Sequence, residues 1–159
     1  MNRVMVHAAE MELPQWDKHL KAFVLKVLQY LKKDKWDVSI LLCGDKTMKD
    51  LNTIYRGKKE STDVLSFAFG ENRDFPAEAK THSQRHIPGD IVISLETMRE
   101  NARRFNIEED EELRRLLIHG ILHLDGMDHK TNDETEPMLI VQEKILEKLS
   151  KKRILGGNA

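Results

Sequence analysis

Three of the chain's seven histidines, His119, His123 and His129, fall within one stretch of eleven residues. His119 and His123 are four residues apart, so on a helix their side chains share one face with Cβ atoms about 5–6 Å apart. Gly126 precedes His129, and a glycine at positive φ can reverse the chain and bring the third imidazole back to the first two. Three neutral imidazoles leave the fourth tetrahedral position of Zn²⁺ open, as in catalytic zinc sites. The spacing therefore predicts one metal per chain.

This spacing matches the metzincin protease pattern, H-E-x-x-H-x-x-G-x-x-H, at every position but one. The proteases carry a glutamate after the first histidine as general base, and this chain has Gly120 there. The missing carboxylate argues against a peptidase, but a metalloprotease-like or other zinc hydrolase with the same ligands stays an alternative. Glycine costs about 0.5–1 kcal/mol in a helix relative to alanine. Gly120 therefore indicates either a close helix contact or room for a substrate phosphate.

Composition narrows the class of protein that carries this cluster. The chain has 159 residues, which suits one domain, and its single cysteine excludes an internal disulfide. The net charge of −1 excludes a uniformly basic nucleic-acid coat but allows a local basic patch. No stretch has the roughly 18 apolar residues of a transmembrane helix, and residues 1–10 do not have the pattern of a signal peptide. We expect a soluble, cytoplasmic protein without a membrane partner.

Hydrophobic periodicity supplies the elements that must position the histidines. Four apolar or alternating runs predict strands, and helical spacing predicts about five helices. The predicted strands cover residues 2–8, 36–43, 64–69 and 89–94. The predicted helices cover residues 14–33, 46–55, 95–105, a central segment ending before Gly126, and 137–152. This order predicts a single α/β (α+β) domain with a small, mixed and mostly parallel four-stranded sheet covered by the helices.

The central helix is predicted to be buried and to bind the metal. Leucine and isoleucine occupy nearly all of its sides between residues 113 and 124. Asn106 followed by Glu109 resembles a capping box that would start this helix, and Gly126 has the position of a C′ glycine that would end it. Nearby arginines are expected to pair partly with the acidic residues 108–112. These arginines are Arg99, Arg103, Arg104, Arg114 and Arg115.

Three motifs resemble, in their order along the chain, the signatures of the YbeY family of bacterial endoribonucleases. Residues 119–129, HGILHLDGMDH, resemble the family's H-G-x-L-H-L-x-G-x-D-H signature. Residues 51–58 with 61–67 resemble its second signature, and residues 89–94 resemble its third. The similarity covers about residues 36–130, and Ser61 and Ala68 stand where prolines are common in the family. We interpret residues 1–159 as a single YbeY-like metallo-endoribonuclease domain.

The resemblance implies a metal-dependent endoribonuclease specific for single-stranded RNA, with no DNA substrate expected. It implies maturation of the 3′ end of small-subunit ribosomal RNA and a part in ribosome quality control. The implied partners are therefore ribosomal RNA and the ribosome or its small subunit. It also implies one Zn²⁺ held by His119, His123 and His129, although three imidazoles suit nickel, cobalt and copper as well. The family's functional arginine matches Arg56.

Arg56 has a chemical reason to act, because a guanidinium fork matches phosphate oxygens and stabilises charge that develops in a transition state. The open metal position would polarise a phosphate oxygen, activate a water, or do both. Lys58 and Lys59 either hold flanking phosphates or lie in a solvated turn. Asp128 either accepts the second N–H of a bound histidine or stabilises the turn. A ribosome-associated binding module with a structural metal is the remaining alternative, and three ligands rather than four argue against it.

Overall fold

The fold is described from a computed structural model, which describes residues 1–57, 63–68 and 85–156. Within these ranges it has four strands and five helices, as the sequence predicted. No described helix is both long and apolar enough to cross a bilayer. In chain order the elements are β1 (Arg3–Ala8), α1 (Asp17–Tyr30), β2 (Trp36–Cys43), α2 (Asp45–Arg56), β3 (Val64–Ala68), β4 (His86–Ser94), α3 (Leu95–Arg104), α4 (Glu109–Leu124) and α5 (Pro137–Lys148).

The four strands form one mixed sheet in the order β1–β2–β4–β3. The strands β1, β2 and β4 run parallel, and β3 runs antiparallel to β4 at one edge. Helix α1 connects β1 to β2, because two parallel neighbours need a crossover connection of this kind. The mixed and mostly parallel sheet predicted from the sequence is therefore confirmed.

Alternate residues of the strands build an apolar core on each face of the sheet. Val38 and Ile40 of β2 face the larger core, which the sheet shares with α1, α4 and α5. We call this side the first face. Leu41 faces the second face, where it packs with Met48 of α2 and Val92 of β4 in a smaller core. Because β2 alternates between the two cores, it is buried on both sides, as an inner parallel strand should be.

The capping box expected to start α4 at Asn106 is wrong. Asn106 instead ends α3, in the left-handed conformation at φ 53°, and its N–H donates to the carbonyl of Arg103. The N–H of Ile107 donates to the carbonyl of Ala102, which completes a Schellman motif. Asparagine tolerates this conformation better than most residues, so it serves the end of one helix rather than the start of the next. Glu108 is the N-cap of α4 instead.

Some predicted boundaries also shift. Helix α1 begins at Asp17 rather than at Pro14, because the proline belongs to a turn that precedes the helix. Strand β4 begins at His86, so the irregular loop predicted over residues 71–88 does not reach Pro88. The part of that loop before residue 85 lies outside the described residues, as does the basic pair at 58–59.

Candidate metal centre

The structure brings together the three histidines that the spacing selected. His119 and His123 lie in the last two turns of α4, and His129 follows the turn after this helix. One ring nitrogen from each residue lies within 4.8 Å of the other two. The ring centroids of His119 and His123 are 4.6 Å apart, and that of His129 is 5.1 and 5.6 Å from them. All three side chains are half-buried, so the core supports a cluster that solvent still reaches.

Gly126 makes the turn that carries His129 back to α4. It adopts φ 95°, in the region that favours glycine. Its N–H donates to the carbonyl of His123 at 3.0 Å, and the N–H of Met127 donates to the carbonyl of Leu122 at 3.0 Å. These two bonds form a Schellman motif with Gly126 at C′. The predicted role of Gly126 is therefore confirmed.

Backbone carbonyls fix the position of the proton on two of the imidazoles. Nδ1 of His123 lies 3.0 Å from the carbonyl oxygen of Met127, and Nδ1 of His129 lies 2.8 Å from that of Thr131. A carbonyl oxygen only accepts, so each Nδ1 carries the proton when the ring is neutral. The other ring nitrogen, Nε2, is then left with a lone pair that can bind a cation.

A side-chain amide has the same effect on His119. Its Nδ1 lies 2.7 Å from Oε1 of Gln142, a residue of α5 that is only 6% exposed. The Nε2 atoms of His119 and His123 lie 3.0 Å apart. Two lone pairs at this distance repel each other unless a cation lies beside both or one nitrogen takes a proton. The donor set and its tautomers therefore fit zinc, which binds neutral imidazole nitrogen.

The electrostatic environment also favours neutral rings. Burial lowers the pKa of His119 and of His123 below the ordinary value of 6.5. Neighbouring imidazoles lower the pKa further, since His129 acts on His119 and His119 acts on His123. Hydrogen bonds to Gln142 and Met127 oppose this shift without reversing it. His119 and His123 are therefore in the form that binds metal when the pH is neutral.

Gly120 lies between His119 and His123 on α4 and packs against the sheet. A Cβ at this position would lie 2.9, 3.0 and 3.1 Å from three side-chain carbons of Ile91 in β4, and both residues are buried. The carbonyl of Gly120 accepts a hydrogen bond from Ser66 Oγ of β3 at 3.4 Å. Of the two explanations for this glycine, the structure supports the close contact and not room for a substrate phosphate.

Two carboxylates next to the ligands serve the fold. Asp128 Oδ1 accepts the backbone N–H of His129 at 2.8 Å, which supports the turn-stabilising alternative for this residue. Asp125 pairs with Lys33 at 2.6 Å and so ties the end of α4 to the chain that follows α1. These contacts hold the backbone around the cluster in place.

Arginines of α3 and α4 pair with acids at the start of α4. Arg114 contacts Asp110 at 2.7 Å inside the protein, and Arg99 contacts Glu109 at 3.4 Å near the surface. Asp110 also accepts the backbone N–H of Ile154 at 2.7 Å, so it anchors the C-terminal segment. The partial pairing expected for this basic group is confirmed at Arg99, Arg114 and Arg115.

Arg56 is the last residue of α2, on the second face of the sheet. The edge strand β3 lies between α2 and α4. Its Leu65 and Phe67 pack in the core beneath α2, whereas its Ser66 donates to the carbonyl of Gly120. The side chain of Arg56 lies outside the described part of the structure, so its catalytic role stays a prediction.

Gln142 is a residue of the cluster that the sequence analysis missed. On α5 it follows the buried Met138 by one turn and precedes the buried Ile145 by one turn. This helical spacing predicts that Gln142 faces inward, but a polar side chain is not counted in an apolar face. A polar side chain at a buried helix position needs a hydrogen-bond partner, and this requirement is the sequence signal that would have identified Gln142.

Comparison with known proteins gives one consistent result. The family described as Endoribonuclease YbeY matches residues 4–150. Endoribonuclease YbeY of Treponema pallidum (strain Nichols) is 42% identical over 146 residues, which cover 92% of this chain and 89% of that protein. Endoribonuclease YbeY of Treponema denticola is 45% identical over 124 residues, which cover 78% of this chain and 77% of that protein. That of Borreliella burgdorferi is 44% identical over 125 residues, with 78% and 81% covered.

A solved structure has a similar fold. The solution structure of TM1509 from Thermotoga maritima superposes with a TM-score of 0.61 at 29% sequence identity. The similarity covers 94% of this chain and 89% of that one. The family match itself extends over both faces of the sheet, because residues 4–150 include α2 as well as the three histidines.

Proposed function

Because the chain belongs to the Endoribonuclease YbeY family, we propose that it is a metal-dependent endoribonuclease that cuts single-stranded RNA. It acts in the cytoplasm on ribosomal RNA, at the 3′ end of the small-subunit species, and takes part in ribosome quality control. Its partners are that RNA and the ribosome or its small subunit. The observation that carries the metal dependence is the convergence of three imidazoles whose Nδ1 atoms all face oxygen acceptors.

In this proposal His119, His123 and His129 hold one Zn²⁺ through their Nε2 atoms. The zinc, when bound, supplies Lewis acidity toward a phosphate oxygen or a water molecule. The chain favours the neutral form of two of these rings, because burial lowers the pKa of His119 and of His123. It also keeps all three rings oriented, through one hydrogen bond at each Nδ1. Nickel, cobalt and copper suit the same ligands, so elemental analysis has to identify the ion.

Arg56 supplies positive charge to the reacting phosphate in this proposal. The start of α2 is fixed, because the Asp45 carboxylate accepts from the hydroxyls of Ser94 and Thr97. The end of α2 is set by Gly57, which adopts φ 68° and places Arg56 in the last turn. A guanidinium there matches two phosphate oxygens and stabilises the negative charge that develops during cleavage.

The test is cleavage of a single-stranded RNA that carries the 3′ region of small-subunit ribosomal RNA. The protein is purified without affinity-tag metal and assayed as prepared, after chelation, and after Zn²⁺ is added back. We expect one metal per chain, loss of cleavage on chelation, and recovery on addition of Zn²⁺. The control substrates are the same RNA annealed to its complement, a DNA of equal sequence, and a fluorogenic peptide, all of which should stay intact.

Two results would contradict the proposal in different ways. If chelation does not affect RNA cleavage, the metal takes no part in the reaction. A protein that binds one metal per chain and cuts neither RNA nor peptide would instead be the binding module with a structural metal.

A further inference from the structure

We propose that Gln142 is the positioning residue that makes His119 a metal ligand, an inference that rests on the proposed function. Its amide oxygen holds the imidazole in the one tautomer whose Nε2 lone pair faces Nε2 of His123. The two groups meet at 2.7 Å although 23 positions separate them in the chain. Gln142 is 6% exposed, so water does not readily replace it as the partner of this nitrogen.

The direction of the Gln142 amide is fixed by its neighbour. Its Nε2 donates to Oε2 of Glu143 at 3.1 Å, and a carboxylate only accepts. The amide nitrogen is therefore turned toward Glu143, and the amide oxygen is left to face His119. An amide turned the other way would present its NH₂ group to Nδ1 and stabilise the opposite tautomer.

Glu143 is itself held by a guanidinium fork from α4. Nε and Nη2 of Arg115 donate to its two carboxylate oxygens, both at 3.1 Å. Arg115 precedes His119 by four residues on α4, and Gln142 and Glu143 are consecutive on α5. The side-chain contacts thus lead from His119 to α5 and back to Arg115, one turn earlier on α4, so the packing of the two helices sets the direction of the amide.

His119 differs from the other two ligands in this respect. His123 and His129 are held by the carbonyls of Met127 and Thr131, which no side-chain substitution removes. Without Gln142, the His119 proton can move to Nε2 and be donated to Nε2 of His123, which is only 3.0 Å away. In that hydrogen bond, Nε2 of His119 carries the proton and Nε2 of His123 accepts it, so neither nitrogen has a lone pair free for the metal.

The first experiment measures the tautomers in the metal-free protein. The ¹⁵N shifts of the histidine rings are recorded above pH 8, well above the ordinary histidine pKa of about 6.5, for the parent, Gln142→Leu and Gln142→Glu. We expect His119 to carry its proton on Nδ1 in the parent and in Gln142→Glu, which retains an acceptor. In Gln142→Leu the proton should move largely to Nε2. His123 and His129 are internal controls and should keep Nδ1–H in all three proteins.

A second variant keeps the inference open to refutation if Gln142→Leu does not fold. Glu143→Ala removes the partner that directs the amide, and the Glu143 side chain is 52% exposed, so the fold should tolerate its loss. We expect a mixture of the two His119 tautomers in this variant. A fully retained Nδ1–H at His119 in Gln142→Leu, or in Glu143→Ala when that is the folded variant, would overturn the inference.

The second experiment measures metal affinity by competition with a chromophoric chelator. Gln142→Leu should bind Zn²⁺ about 10–100-fold more weakly than the parent, the range found for partners that orient ligands. Gln142→Glu should recover most of this loss, and a folded Gln142→Leu with parental affinity would overturn the inference. If the parent binds no metal, the proposed function is wrong. The tautomer measurement still tests the effect of Gln142 on His119, because it uses the metal-free protein.

Discussion

The two faces of the sheet differ in how their proposed functional residues are supported. On the first face, α4 and α5 cover a large apolar core, and every imidazole of the cluster has a hydrogen bond at Nδ1. On the second face, α2 packs over a smaller core, which has four buried members among the residues that the structure describes. Arg56 stands in the last turn of this helix. The buried members of the smaller core are Cys43, Met48, Leu65 and Val92.

In the proposed function, this difference would separate the residues that hold the metal ion from the residue that acts on the RNA. Metal ligands must keep their geometry within a few tenths of an ångström, and a large core with locked side chains suits that requirement. A residue that meets a flexible RNA strand needs reach and charge more than rigidity. The four predictions that follow test whether the two faces really divide the work in this way.

The largest effect is expected at the first face, for His123→Ala. Two imidazoles do not retain zinc at the affinity of three, so metal should fall to a small fraction of one per chain. Cleavage of single-stranded RNA should fall by roughly a thousandfold or more, since the Lewis acid is absent. Elemental analysis and single-turnover cleavage check both outcomes. Unchanged metal content would show that His123 does not bind the metal and that the two faces do not differ in the way proposed.

The next effect is expected at the second face, for Arg56→Ala. Metal content and the free energy of unfolding should stay near the parental values, while cleavage falls by roughly a hundredfold, the scale for loss of one transition-state donor. Arg56→Lys should recover only part of the rate, because it loses the two-pronged geometry. The matched control is Lys49→Ala, an exposed cation on the same helix, which should cut RNA normally. If Arg56→Ala cleaves RNA at the parental rate, Arg56 has no catalytic role, and the second face has no proposed catalytic residue.

A moderate effect on stability is expected for Gly120→Ala. The added methyl group meets Ile91 at 3.1 Å or less, and overpacking a core typically costs about 1–3 kcal/mol. Urea unfolding of the metal-free protein measures this loss. Ile91→Ala removes all three contacting carbons, so the double variant should be more stable than the sum of the single losses predicts. Additive losses would show that Gly120 is not required for the contact between α4 and the sheet.

The smallest effect is expected for pH on the metal-free protein. Burial lowers the pKa of His119 and His123, so the unfolded chain takes up protons at these rings near pH 6.5 before the folded chain does. The unfolded state then binds more protons, and the free energy of unfolding should fall as the pH drops below about 6.5. Urea midpoints at a series of pH values measure this. His123→Ala should flatten the dependence, whereas a substitution of the exposed His7, His7→Gln, should leave it unchanged.

The sequence predicted the candidate site on the first face of the sheet better than the one on the second face. The spacing of His119 and His123, and a glycine that ends their helix, are local features that depend on a few consecutive residues. The role predicted for Arg56 depends on a resemblance to a family, because the residues around a cation at a helix end do not show which group it binds. The capping box at Asn106 failed for a related reason: the same residue can end one helix or start the next, and only the backbone shows which.

The sequence by itself determined which imidazoles could hold a metal, the helix face that His119 and His123 share, and the turn after them, because these depend on backbone geometry within a few residues. Only the tertiary structure decided what surrounds them. It placed α5 against α4, so that Gln142 meets His119, and it placed Ile91 against Gly120. These contacts join residues far apart in the chain, and many packings satisfy the same apolar pattern. The orientation of the imidazoles therefore follows from the three-dimensional packing of the helices and sheet.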